Sequence, residues 1–178
     1  MNRAIIIGLS VDGVDFRCWE KKHPRYNQDP KMCSFKFKKA AFKYEITLDV
    51  YAAKIRNMNG THRGGTHDLI MFRDPETGEL MEYLLATGQM VIADRGYETS
   101  EVDEIGMFAI PSSIDSKELN HFKSRARCRH ETLNGRLKNF KCLQDTFRHS
   151  MDKHKTCFEA VCVIVQYQMD NGSPIFSV

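Results

Sequence analysis

The chain has 178 residues, 42% hydrophobic and 28% charged, with a net charge of +3. That is enough for one domain with a substantial core, and too apolar for a disordered chain. The longest apolar runs, such as Ala160 to Val165, are too short to cross a bilayer and no signal-peptide pattern opens the chain, so an intracellular protein is expected.

In chain order, Ala4 to Asp12 reads as a short β-rich strand that Gly13 breaks, with Phe16 to Trp19 resuming as a second extended stretch. His23 to Phe37 is polar and basic and carries Pro24 and Pro30, a loop signature. Phe42 to Val50 alternates strictly: Phe42, Tyr44, Ile46, Leu48 and Val50 point one way, Lys43, Glu45, Thr47 and Asp49 the other. This predicts a half-buried strand. Tyr51 to Met58 continues or pairs with it, and Asn59-Gly60 signals a hairpin or loop. Thr66 to Arg73 predicts a short helix with Thr66 as N-cap, ended by Asp74-Pro75, and Gly78 to Leu85 a second one. Met90 to Asp94 is a short buried-type strand and Met107 to Ile110 a weaker one. Two helices close the chain, Ser116 to about Asn139 and Lys153 to Met169, the second apolar on most faces and so packed on the sheet. The order predicts one mixed α/β domain around a central sheet with flanking helices.

Six cysteines occur without a Cys-x-x-Cys pair, so they read as reduced thiols rather than a zinc site; Cys157 and Cys162 with His149 and His154 do not have a standard ligand spacing. Charge is strongly segregated. Arg17 to Lys43 carries a balance of +7, Lys117 to Lys155 again +7, and Tyr44 to Ser116 between them −8. Two basic lobes around an acidic middle can grip a polyanion and leave carboxylates free for other work; the plainer reading is solvated faces.

Three carboxylates stand out by position. Asp12 and Asp94 each close an apolar strand before a nearby glycine, where a carboxylate is costly unless paired or bound to a cation. Strand ends on neighbouring strands meet at one edge of a sheet, where open α/β sheets build their sites. The plainer alternative for each is a turn or cap residue. Glu131 is the one acidic residue in the basic stretch Arg125 to Lys138, and on a helix Arg127, Asn134 and Lys138 share its face. It reads either as an intrahelical salt bridge or as a metal ligand framed by phosphate-binding cations.

Val11-Asp-Gly-Val-Asp-Phe16, Gly65-Thr-His-Asp68 with Phe72-Arg73, Ile92-Ala-Asp-Arg-Gly-Tyr97, and Arg125-Ala-Arg through Glu131 to Gly135-Arg-Leu-Lys138 occur in this order. Together they resemble the successive blocks of the DDE superfamily endonuclease domain of Harbinger-type transposases, over about residues 10–167. The resemblance implies an RNase H-like fold and a catalytic, metal-binding triad of Asp12, Asp94 and Glu131, separated by 82 and 37 residues. Asp15 is a rival for the first place, and His67 and Asp68 match an accessory block.

Two Asp and one Glu suit two-metal phosphoryl transfer, with hard oxygen ligands for two Mg²⁺ or Mn²⁺ ions. Such a chain is expected to cut and join DNA as a nuclease and hydrolase-type transposase core, working in the nucleus. Lys36, Lys38, Lys39, Lys43, Arg125, Arg127, Arg129, Arg136, Lys138 and Lys141 are candidate DNA-backbone contacts. The chain starts nine residues before Ser10, so the helical DNA-reading region usual ahead of the first catalytic strand is expected to be absent. Self-association or a separate DNA-binding accessory protein is the expected compensation. The competing expectation is a domesticated, transposase-derived module that binds DNA or protein without cutting.

Overall fold

The computed structural model describes residues 6–20, 29–74, 79–101, 104 and 106–178. Four strands form one mixed sheet: β1 (Ile7–Arg17), β2 (Ala41–Asp49), β3 (Ile55–Arg63) and β4 (Met90–Ile92), in the order β3-β2-β1-β4. The first three form an antiparallel meander, and β4 lies parallel to β1 with Ser10 opposite Ile92. This mixed sheet, flanked by helices, is compatible with an RNase H-like nuclease fold.

The even-numbered side chains of β1 and β2, among them Phe16, Tyr44, Ile46 and Leu48, pack against α3 (Lys117–Leu137) and α5 (Met151–Asp170). The short α4 (Lys141–Gln144) joins that layer through Leu143. On the opposite face, Leu9, Val11 and Val91 meet α1 (Asp68–Phe72) and α2 (Glu79–Thr87) through Phe72, Leu80 and Leu84. Ser116 and Ser150 cap α3 and α5, each accepting a backbone N–H three residues on.

Several local expectations are corrected. Gly13 does not break the first strand: β1 runs unbroken to Arg17, because pairing with β2 continues through it, Gly13 facing Glu45. Asp12 therefore lies in mid-strand rather than at a strand end. β2 is buried on both faces, not one: Lys43 pairs with Asp68 of α1, Glu45 accepts the hydroxyl of Tyr97 from the turn after β4, and Thr47 is buried as well. Asn59-Gly60 is inside β3 instead of at a turn; the chain reverses at residues 50–54, where Asp49 accepts the N–H groups of Tyr51 and Ala52. Thr66 does not cap α1, whose cap position is His67, without a side-chain bond. Met107 to Ile110 forms only an isolated bridge, Phe108 to Val91, and α3 is uninterrupted. The six thiols, by contrast, are unpaired as expected, and His154 is buried against Tyr44. Of the basic loop 23–37, residues 23–28 lie outside the described part, as do Ala4 and Ile5 of the first strand and Pro75 and Gly78 at the bounds of the short helices.

Candidate active site

β1 and β4 run parallel, so their adjacent chains bring Asp12 and Asp94 into one cleft just beyond the end of β4. Asp94 follows β4 by two residues and caps a single 3₁₀ turn, Arg95–Tyr97, its Oδ1 accepting the Gly96 N–H at 2.7 Å. Both aspartates line a cleft of about 510 Å³ together with Gly13, Asp15, Phe35, Lys36, Lys43, His67 and Asp68.

Asp68 is closer to the centre of this cleft than the sequence suggested. It begins α1, and its carboxylate sits between Gly13 and Gly96: a Cβ on Gly13 would collide with Asp68 Oδ1, and one on Gly96 would stand 2.5 Å from Asp68 Oδ2 and 2.9 Å from Asp94 Oδ1. The two glycines are thus required by the close approach of a third acid. Lys43 answers it, with Nζ 2.7 Å from Asp68 Oδ1 and donating to the Thr66 carbonyl at 3.0 Å.

The electrostatics follow. Asp12 is pushed up to about 7 by burial first, then by Asp94 and Asp68; the Gly13 N–H and Lys36 pull the other way. Behind it, buried Glu45 is also raised to about 7, again by burial first, although it accepts the hydroxyl of the fully buried Tyr97 at 2.9 Å. Glu45 and Tyr97 were missed as members of the acidic cluster. Glu45 read as one more residue on a solvated strand face, and only the burial of that face shows otherwise.

Glu131 does not line this cleft. It is an exposed residue of α3. Its neighbours on the helix nevertheless bracket the aspartates. The adjacent His130 is buried and hydrogen-bonded to Ser10 at 2.9 Å, on the same face of β1 as Asp12. Arg127, one turn earlier, shares a second, smaller cleft with Asp94, Arg95 and Pro111. Lys138, two turns later, is lowered by burial and by Lys36 while Asp15 and Asp12 oppose that shift. The rival Asp15 is engaged by Ser34 Oγ at 2.5 Å.

The candidate DNA contacts divide. Arg129 is a correction: it is only 2% exposed, and its guanidinium donates to the carbonyls of Asp49, Val50 and Ala52, so it anchors the β2–β3 turn instead of facing a phosphate. Arg125 and Arg136 donate to the carbonyls of Ser177, and of Ser173 and Pro174. Lys36 and Lys43 face the cleft; Lys38, Lys39, Arg127 and Lys141 are exposed.

The donor set suits a hard divalent ion, because mutually repelling carboxylates in a half-buried cleft are relieved by a cation. Among the described residues no three His, Cys, Asp or Glu side chains already stand close enough to form a finished ion site. The described helices include none long and apolar enough to cross a membrane.

A family model for the DDE superfamily endonuclease matches residues 11–166. The chain belongs to that family. Nucleases of the superfamily generally use divalent metal ions, and the family implies a DNA substrate. No curated protein matches the chain.

Proposed function

We propose, with membership of the DDE superfamily endonucleases as the premise, that this chain is the catalytic core of a Harbinger-type transposase that cuts and joins DNA strands. The observation that carries the reading is the convergence of Asp12 and Asp94 from parallel strands into one cation-fringed cleft, with Asp12 held up to about 7 by burial and its acidic neighbours. Asp12, Asp94 and Glu131 would hold two Mg²⁺ or Mn²⁺ ions. Bound there, the ions would supply Lewis acidity for activating water or a DNA 3′-hydroxyl and would offset charge at the phosphate.

The chain's own residues position the reactants. Lys36 attracts the phosphate into the cleft, while Arg127 and Arg95 hold the strand on the far side of Asp94. His130, bonded to Ser10, fixes the turn of α3 that carries Glu131 beside the face of β1 that carries Asp12. In this reading the third ligand would come from a helix docked on the same strand. Lys43 pairs with Asp68 at 2.7 Å, and in this reading His67 and Asp68 serve as supports rather than ligands. Such a core works where its DNA is, in the nucleus of a nucleated cell, alone, as an oligomer or with a DNA-reading partner.

The test is nicking of supercoiled plasmid with Mg²⁺ or Mn²⁺, alongside filter binding, for wild type and Asp94→Asn. The substitution keeps shape and removes the charge that holds a hard ion, so cleavage should disappear while binding survives. Equal nicking by both proteins, or a wild type that binds and never cuts with Mn²⁺, overturns the reading.

A further inference from the structure

The turn over residues 34–39 overhangs the cleft and is tightly built. Ser34 is fully buried; its Oγ donates to Asp15 and accepts the N–H groups of Lys36 and Phe37, each at 3.1 Å. Its backbone bonds to Lys38 and Lys39 close the loop, and Lys38 takes a left-handed φ of 54°. The ring of Phe37 is held by the guanidinium of Arg17 at 5.0 Å and the ammonium of Lys138 at 5.6 Å. Phe35, in contrast, is 70% exposed at the mouth of the cleft that holds Asp12 and Asp94. Lys38 faces its ring, at 5.8 Å. The run Phe35-Lys36-Phe37-Lys38 alternates rings and cations on a turn closed by these bonds.

We propose that Phe35 is a base-stacking residue of this cleft, receiving a nucleobase unstacked from the substrate strand beside the phosphate at Asp12. The inference rests on the DNA-cleaving reading above and adds a positioning residue to it. Asp12 is recessed, whereas the bases of an intact duplex are stacked inward and hold each phosphate on the helical path. Drawing a phosphate into the cleft pulls the strand off that path and unstacks a base, a cost that an exposed aromatic face offsets. Lys36 and Lys38 flank the ring and take the adjoining phosphates, and the contact reads no sequence because every base has a π-face.

The experiment is fluorescence anisotropy with dye-labelled oligodeoxythymidylate and a duplex of equal length, in Ca²⁺ to hold cleavage back. Phe35→Ala should weaken single-strand binding by roughly tenfold and duplex binding by less than about twofold, with an unchanged melting temperature. Phe35→Trp in a Trp19→Phe background should keep the affinity, and single-stranded DNA should quench its fluorescence. Single-strand affinity equal to wild type in Phe35→Ala, an equal loss on both probes, or no single-strand binding at all overturns the proposal. The two readings fail separately. If wild type never nicks, yet DNA quenches the Phe35→Trp reporter, cleavage falls and stacking stands; active nicking with an unquenched reporter sinks stacking alone.

Discussion

Lys43 holds its ammonium 2.7 Å from Oδ1 of Asp68, across the floor of the cleft that Asp12 and Asp94 share. One of the three clustered aspartates is thereby neutralised by the protein itself. No comparable ion pair to Asp12 or Asp94 is seen among the described residues.

The proposed third ligand, Glu131, is testable against its nearest competitor, Asp68. Glu131→Gln is expected to abolish Mn²⁺-dependent nicking with no more than about 0.5 kcal/mol change in stability, since the side chain is exposed. Asp68→Asn is expected to keep detectable nicking and to lower stability, because Lys43 loses a half-buried partner. Plasmid nicking and urea unfolding of both variants decide; the reversed pattern would make Asp68 the ligand.

Gly13 and Gly135 provide a matched pair. A methyl group on Gly13 meets the Asp68 carboxylate and stands 3.1 Å from Cε of Lys43, whereas one on Gly135 meets nothing within 4 Å. Gly13→Ala is expected to cost about 1–3 kcal/mol and to impair nicking by displacing Asp68. Gly135→Ala, near the end of α3, is expected to stabilise by about 0.5–1 kcal/mol. Thermal unfolding of the two checks both signs.

The basic residues of α3 should separate in a salt titration. Arg129→Ala leaves the carbonyls of Asp49, Val50 and Ala52 without their donor, so it is expected to cost about 3 kcal/mol of stability. It should leave the salt dependence of DNA binding unchanged. Arg127→Ala and Lys36→Ala should instead each flatten the slope of log affinity on log salt by about 0.9, with little effect on folding. Binding isotherms from 50 to 200 mM salt, on the order of the range where such slopes are read, provide the measurement.

His154 makes the fold acid-sensitive. It is fully buried among Phe16, Phe42, Tyr44 and Phe147, with Nδ1 2.6 Å from the Tyr44 hydroxyl, and burial lowers its pKa from 6.5 to about 4. The folded pKa lies below the unfolded one, so the unfolded chain takes up the proton first. Stability contributed by the neutral imidazole is full above pH 6.5 and falls as pH drops towards 4, by about 3 kcal/mol in total. His154→Gln should be less stable than wild type at pH 7.5, and the gap should narrow on acidification. A gap independent of pH, in denaturant melts from pH 7.5 to about 4.5, would contradict this.

Those elements whose partners are local, or whose pattern is strong, were legible in the sequence. The alternation from Phe42 to Val50 marks β2, Ser116 marks the start of α3, and the apolar run ending at Asp94 marks β4 and the site edge. These signals rest on side-chain period and capping, which neighbouring residues alone determine. What a residue faces across the fold was decided only in three dimensions. Gly13 remains in strand because β2 pairs with β1 along its whole length, and its lack of a Cβ serves Asp68, 55 positions away. The polar face of β2 is buried, with Lys43 paired to Asp68 of α1 and Glu45 bonded to Tyr97 of the turn after β4, and that converts Lys43 and Glu45 from solvated charges into part of the acidic cluster. Arg129 looks like its neighbours Arg125 and Arg127 in sequence, yet the docking of α3 on the β2–β3 turn turns it inward, where three carbonyls need its donors. Charge in a sequence shows how many cations are present; only packing decides which of them remain free for DNA, because burial pairs a charge with whatever acceptors the fold brings to it.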